Sequence, residues 1–289
     1  MKAEAVSRPG SGMGAGPVWD AAINLLWWID NAGRSLNAFD GDETRAIPLP
    51  LAASFAAPRG DGVVTLVTDK GLVSFDPLFL GTLDSHPIQT DRPAYRTRDS
   101  KVSPGGRLLV GTMGPAMERK AGAIHMIEPG GAVRPLMNGI TVPGGIAFSP
   151  DGKWIHYADS ALQTVYRAPW TEDEGLVGEA EPFLQPEWPS APDGAAVDCD
   201  GIYWVALRDG GKVVGVGLDG TIVAEIALPV ARPTACAFGG EGLKTLFITS
   251  ATEGDGSRLA GALFAVPMKT AGAVVPPFDW NPEPATAAT

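Results

Sequence analysis

Residues 96–113 read RTRDSKVSPGGRLLVGTM, and this stretch decides the fold. A charged segment is followed by a Pro-Gly-Gly turn and then by an apolar run. This order predicts a strand or charged loop, a tight turn and a buried strand. Because two arginines and an aspartate fall within residues 96–99, this copy of the pattern also carries the densest potential chemistry.

The same strand–turn–strand pattern recurs along the chain. Apolar runs separated by turns that contain Gly or Asp form six units, which start near Gly16, Gly62, Val102, Ile146, Ala195 and Ala235. A period of roughly 40–50 residues is typical of propeller blades, which stack radially around a central channel. The sequence therefore predicts an all-β fold, a six-bladed β-propeller, in a single domain over residues 1–289.

The chain ends are expected to close and cover this ring. Residues 3–6 predict an outer strand for the last blade. Residues 275–289 are rich in Pro and Ala, which predicts an extended strap or a disordered tail. Polar residues at the start of each blade's first strand are expected to line one mouth of the channel, where the site should lie.

The composition of the chain argues against several classes of binding partner. The net charge is −11 without a basic cluster, which argues against nucleic acid and anionic membranes, and no run of about 18 apolar residues predicts a membrane span. The first 16 residues lack the apolar segment of a signal peptide, so we expect a cytoplasmic location. We also expect a monomer or a dimer. Cys199 and Cys236 are too few for a disulfide scaffold and are expected to be buried. His125 and His156 lie in strand runs and are expected to be packing residues.

Five motifs, in order, resemble the SMP-30/gluconolactonase/luciferin-regenerating-enzyme family, which includes regucalcin. They lie at residues 14–19, 96–113, 145–152, 192–198 and 236–240. The resemblance implies a six-bladed propeller that hydrolyses a small-molecule lactone or related ester on its axis. It also implies a divalent cation, of the kind of Ca²⁺, Zn²⁺, Mn²⁺ or Fe²⁺.

The positions that hold this ion in the family are altered here. The resemblance implies ligands at three positions, of which only Asp193 keeps its carboxylate, while Ala15 and Gly144 replace a Glu and an Asn. Arg98 replaces a further Asn that contacts substrate or a metal-bound water. Because Ca²⁺ takes six to eight oxygen ligands, we expect no metal or a weakly bound one. Ligands from loops between Thr82 and Arg92 are the alternative.

Loss of the ion would require other groups to act on the lactone. Asp193 or Asp99 could be the catalytic base, and Arg96 and Arg98 could stabilise an oxyanion. The resemblance implies that Arg96, Arg98 and Glu118 bind substrate. The alternative, purely structural interpretations are that Asp99 stabilises a turn and that Glu118 forms an ion pair at the surface. The opposing hypothesis is a non-catalytic propeller that binds a small anionic ligand or a protein partner, since guanidinium groups suit carboxylates and phosphates.

Overall fold

A computed structural model describes residues 1–88, 95–176, 178–187 and 190–281. The strands in chain order are β1 (Glu4–Ala5), β2 (Gly14–Asp20), β3 (Leu25–Asp30), β4 (Ser35–Phe39), β5 (Thr44–Pro48), β6 (Phe55–Pro58), β7 (Val64–Thr68), β8 (Gly71–Asp76), β9 (Gly81–His86), β10 (Arg96–Val102), β11 (Leu108–Met113), β12 (Gly122–Ile127), β13 (Val133–Ile140), β14 (Pro143–Phe148), β15 (Trp154–Asp159), β16 (Thr164–Thr171), β17 (Gly175–Leu176), β18 (Glu181–Leu184), β19 (Ala191–Val197), β20 (Tyr203–Arg208), β21 (Lys212–Val216), β22 (Ile222–Ala227), β23 (Pro233–Gly239), β24 (Thr245–Ser250) and β25 (Phe264–Pro267). Two short 3₁₀ turns lie at Ser160–Leu162 and Glu241–Leu243. None of the segments described contains a helix that could span a membrane.

These strands form six antiparallel sheets, which are the six blades. Their strand orders are β2–β3–β4–β5, β6–β7–β8–β9, β10–β11–β12–β13, β14–β15–β16 with β17 and β18, β19–β20–β21–β22, and β23–β24–β25–β1. The innermost strand of each blade contacts that of the next blade, and β23 contacts β2, so that the ring closes. The predicted six-bladed β-propeller is confirmed.

The sixth blade joins the two ends of the chain. Glu4 and Ala5 pair with Ala265 and Phe264 in antiparallel register. The prediction that an N-terminal strand completes the last blade is therefore confirmed. Because this strand covers an edge that would otherwise be unpaired, it closes the ring with backbone hydrogen bonds.

The outermost strand of a blade is much more exposed than the second strand. All six residues of β3 and of β11 are buried, whereas most residues of the outer strands β5 and β9 are exposed. The buried faces of neighbouring blades meet in continuous apolar clusters. This packing removes apolar side chains from water and fixes the angle between blades.

The C-terminal segment is a strap over the described residues 275–281. Phe278 and Trp280 are fully buried in the same apolar cluster as Phe55. The Phe278 N–H donates to the Pro58 carbonyl at 2.9 Å. The strap is thus part of the core, and the remainder of the predicted tail, residues 282–289, lies outside the described residues.

Burial is expected for both cysteines and for two of the histidines, and the structure agrees for all but one of them. Cys236 is buried, but the expectation for Cys199 is wrong, because this thiol is exposed in the turn between β19 and β20; both cysteines are free. His125 and His156 are buried, as expected of packing residues. The His156 ring stacks on Tyr203, with the ring centroids 5.0 Å apart.

Candidate active site

The inner strands of five blades carry a register shift near their start, at one mouth of the channel. In β10, Arg98 and Asp99 together lie opposite Gly111 of β11. In β19, Asp193 and Gly194 together lie opposite Ala206 of β20. A β-bulge twists its strand and re-aims the side chains next to it. These two bulges therefore direct charged side chains into the mouth.

Asp193 owes its position to close packing around it. A Cβ at Gly194 would lie only 2.3 Å from the Cβ of Ala235 in β23, so glycine is needed for the two inner strands to approach each other. On the other side, the Ser160 hydroxyl donates to the Pro192 carbonyl at 2.7 Å. The backbone that carries Asp193 is thus held between two blades, and the residue is only 5% exposed.

The Asp193 carboxylate lies between two guanidinium groups. Nη2 of Arg98 is 3.4 Å from both Oδ1 and Oδ2 of Asp193. Nε of Arg208 is 3.8 Å from Oδ2. Arg98 reaches across the channel from blade 3, whereas Arg208 comes from the strand next to Asp193 in blade 5. The result is an Arg–Asp–Arg cluster on the propeller axis.

Asp99 is turned towards the backbone. Its Oδ1 accepts from Ser100 N at 3.0 Å and its Oδ2 accepts from Ile146 N at 2.9 Å. Burial raises the pKa of the Asp99 carboxyl, while Lys101 and the Ile146 N–H oppose this shift. Oδ1 therefore stabilises the bulge of blade 3 itself, and Oδ2 joins this bulge to blade 4.

Lys101 lies deeper in the channel on the same strand as Asp99. Its Nζ donates to the Ala195 carbonyl at 3.0 Å. Burial lowers the pKa of the Lys101 ammonium, and the charge of Asp99 opposes this. The two half-buried groups, of opposite charge, form the floor beneath the Arg–Asp–Arg cluster.

A cavity of about 470 Å³ opens above this floor. That volume is within the range of small-molecule sites. The charged residues that line it are Arg96, Arg98, Asp99, Asp193, Arg208 and Glu253. Apolar contact surface comes from Met13, Met113, Met117 and Val142. The cavity can therefore hold a compact ligand with both polar and apolar faces.

The structure brings four of the five predicted site residues to this cavity. Arg96 is exposed on its lining, and Arg98, Asp99 and Asp193 lie further in. Glu118 is exposed and does not line the cavity; its Oε2 accepts from Ala116 N at 3.2 Å. Its predicted contact with substrate stays a prediction.

Sequence reasoning missed Arg208 and Glu253. Arg208 ends β20 and pairs with Ala191 at the start of β19. A hairpin register drawn from the turn at residues 198–201 could have placed it beside Asp193. For Glu253, which follows β24 in a loop, no local pattern in the sequence indicated the site.

The residues present do not fit a divalent ion at the family position. Ala15 lines the cavity with a methyl group and Gly144 has no side chain, so neither position offers a side-chain ligand. Asp193 already pairs with arginine. A guanidinium about 4.5 Å from a divalent ion would cost about 7 kcal/mol at an effective dielectric constant of 20. Among the described residues, no three His, Cys, Asp or Glu side chains converge to hold an ion.

The alternative ligands between Thr82 and Arg92 lie away from the axis where they are described. Residues 81–86 form β9, the outermost strand of blade 2. The Asp84 carboxylate is exposed there and accepts from its neighbour Ser85 N at 2.7 Å. The other part of that prediction, residues 89–92, lies outside the described residues.

A second cavity, of about 320 Å³, lies at the other mouth. Its lining is largely apolar and includes Trp19, Phe148 and Phe238. The C-terminal segment at residues 273–275 also lines it. Lys101 contributes to this cavity, so the two cavities share the floor of the channel.

The ring of six blades and the charged axial cavity define a β-propeller with a candidate small-molecule site at one mouth. Residues 13–252 match the family model described as the SMP-30/Gluconolactonase/LRE-like region. The chain belongs to this family.

Several relatives are similar over nearly the whole chain. A 6-deoxy-6-sulfogluconolactonase of Pseudomonas putida is 32% identical, over 94% of this chain and 97% of the relative. Pentonolactonase XacC of Haloferax volcanii is 32% identical over 90% and 92%. The crystal structure of a calcium-binding protein, regucalcin, from Agrobacterium tumefaciens superposes with a TM-score of 0.89 at 27% identity, covering 96% of this chain and 97% of that one.

Proposed function

We propose that this chain hydrolyses a lactone or a related ester in the axial cavity, and that it does so without a divalent ion. The observation that carries the proposal is the Arg98–Asp193–Arg208 cluster within the cavity. Relatives named as lactonases support the reaction class. The lack of side-chain ligands at Ala15 and Gly144 supports the metal-free chemistry.

In this proposal, Asp193 is the base and Arg98 stabilises the oxyanion. Asp193 takes a proton from water as the water oxygen forms a bond to the lactone carbonyl carbon. The carbonyl oxygen gains negative charge, which the Arg98 guanidinium stabilises. When the tetrahedral intermediate collapses, the ring C–O bond breaks and the alkoxide takes the proton from Asp193. The product is a hydroxy acid.

Asp99 fits a positioning role better than that of a base. Both its carboxylate oxygens accept backbone N–H groups, so neither is directed freely at a water in the cavity. By joining β10 to β14, Asp99 holds the bulge that presents Arg98. Arg96, on the exposed part of the lining, is proposed to contact substrate.

A second candidate is a non-catalytic propeller that binds a small anion. The observation that favours it is that Asp193 is already engaged by arginine, while Arg96 and Arg208 remain available to a ligand. Binding of an anion without turnover would distinguish this candidate.

Three expectations from the sequence stay predictions. They are the single domain over residues 1–289, the monomer or dimer and the cytoplasmic location.

The test uses chelator-treated protein and a panel of sugar γ- and δ-lactones. Hydrolysis of each lactone is measured by the release of protons. Asp193→Asn is expected to lower kcat/KM about 100-fold or more, and Arg98→Gln about 100-fold. Arg45→Gln makes the same change of charge on the exposed outer strand β5 and is the matched control. Circular dichroism verifies that each variant is folded.

Two results would contradict the proposal. Full activity of Asp193→Asn would exclude Asp193 as the base. Activity that vanishes with chelator and returns with Ca²⁺, Zn²⁺, Mn²⁺ or Fe²⁺ would show that the chemistry depends on a metal after all.

A further inference from the structure

The axial cavity holds more hydrogen-bond donors than the protein satisfies. Arg96, Arg98 and Arg208 each present a guanidinium with five N–H donors, and all three line the cavity. Within the part of the chain that the structure describes, Arg98 is the only one of these three whose guanidinium donates hydrogen bonds, the two to Asp193 at 3.4 Å. The remaining donors are available to a ligand.

Arg208 is the least satisfied of the three. Its Nε is buried and has no hydrogen-bond partner among the described residues. Its contact with the Asp193 Oδ2, at 3.8 Å, is too long for a hydrogen bond. Its side chain is 27% exposed and lines the cavity, so a ligand reaches the guanidinium through its Nη groups and not through the buried Nε. A buried donor on a charged group without an acceptor is uncommon, and it shows that the described residues leave this guanidinium incompletely bound.

The protein's own carboxylates do not fill this place. Asp99 accepts two backbone N–H groups, and Asp193 contacts Arg98 more closely than Arg208. Glu253 is exposed on the lining. The lining carries three arginines against three carboxylates. Because Asp99 and Asp193 are already engaged, the N–H groups that the described residues leave unpaired on Arg96 and Arg208 are where an anion is attracted, even in a chain of net charge −11.

We propose that the substrate of this cavity is an anionic lactone, which carries a carboxylate, sulfonate or phosphate group apart from the ring ester, and that Arg208 binds this group. The proposal rests on the proposed lactone hydrolysis. The fork of N–H donors on a guanidinium matches two oxygens of such an anion. With Arg208 holding the anion, the ring ester lies in the cavity over the Asp193–Arg98 pair, within reach of both side chains, and the water attacks there.

Matched lactones test the proposal with wild-type protein. D-glucono-1,4-lactone and D-glucaro-1,4-lactone differ only in a hydroxymethyl or a carboxylate at C6. D-glucono-1,5-lactone and its 6-phosphate form the second pair. Wild-type kcat/KM is expected to be at least about 10-fold higher for an anionic member than for its neutral partner. The pair with the larger ratio identifies which anion is preferred.

Variants assign the preference to Arg208. Arg208→Gln should lower kcat/KM for the anionic lactone at least about 10-fold more than for the neutral one, chiefly through KM. Arg208→Lys keeps the charge but loses the fork, so it should recover part of the ratio. Arg45→Gln should leave the ratio as in wild type. Calorimetric titration with D-glucarate, inorganic phosphate and sulfate measures anion binding without turnover.

The outcomes separate this inference from the proposed function. Hydrolysis with equal kcat/KM for both members of each pair would overturn the anion site and leave lactone hydrolysis standing. Binding of D-glucarate that Arg208→Gln abolishes, with no lactone hydrolysed, would support the anion site and refute the hydrolysis. No binding of any of the three anions at millimolar concentration, together with no preference in turnover, would overturn the anion site.

Discussion

Protonation of His156 is predicted to destabilise the wall behind the site. The imidazole is 5% exposed and packs against Tyr203 and Phe183, with ring centroids 5.0 and 4.8 Å away. Burial, with a smaller contribution from Arg167, lowers the pKa of His156 from 6.5 to about 3. Tyr203 in turn donates to the Gly145 carbonyl at the bulge of β14.

The sign and size of the effect follow from linkage. Because the folded pKa is depressed, the neutral ring contributes stability above pH 6.5, and this contribution is lost as the pH falls from 6.5 towards about 3. Between pH 7 and pH 5 the unfolded chain takes up the proton and the folded chain does not. The free energy of unfolding should fall by about 2 kcal/mol from this group alone.

Urea unfolding at pH 7 and pH 5 measures this loss. His156→Phe keeps an aromatic ring but cannot take up the proton, so its loss between the two pH values should be about 2 kcal/mol smaller than that of wild type. Phe183→Leu is the control, since it loosens the same packing and retains the imidazole; its pH dependence should match wild type. Equal losses in wild type and His156→Phe, within about 0.5 kcal/mol, would refute the reasoning.

Two further predictions concern the strap and the altered ion position. Trp280→Ala should lower the free energy of unfolding by about 3–5 kcal/mol, because the side chain is 1% exposed. The control Val274→Ala removes a side chain that is 74% exposed and should change this free energy by less than about 0.5 kcal/mol. Equal effects of the two variants in urea unfolding would mean that the strap is not part of the core. A triple variant returns three oxygen-bearing side chains and removes a cation, through Ala15→Glu, Gly144→Asn and Arg98→Asn. Ca²⁺ should therefore raise the Tm of this variant and not that of wild type. A Tm shift and one bound equivalent of Ca²⁺ in wild type would show that the original residues already hold an ion.

The sequence by itself determined the architecture. Alternating apolar runs and Gly- or Asp-containing turns are local properties of about ten residues of chain, so residues 96–113 and the other units predicted the blades. The polar start of β10 and the Asp193 motif also indicated the axial mouth. These features needed no knowledge of distant contacts, because each strand and turn is specified by its neighbours in the chain.

Only the tertiary structure decided which charges meet. Arg98 and Asp193 are 95 positions apart in the chain, and closure of the ring brings them within 3.4 Å. The bulges re-aim side chains by one place, which no alternation pattern specifies. The resemblance implied that Glu118 belongs to the site, yet Glu118 lies outside the cavity, whereas no motif in the sequence indicated Arg208, which lies in it. The physical reason is that blade packing, and not the order of residues, sets distances across the channel.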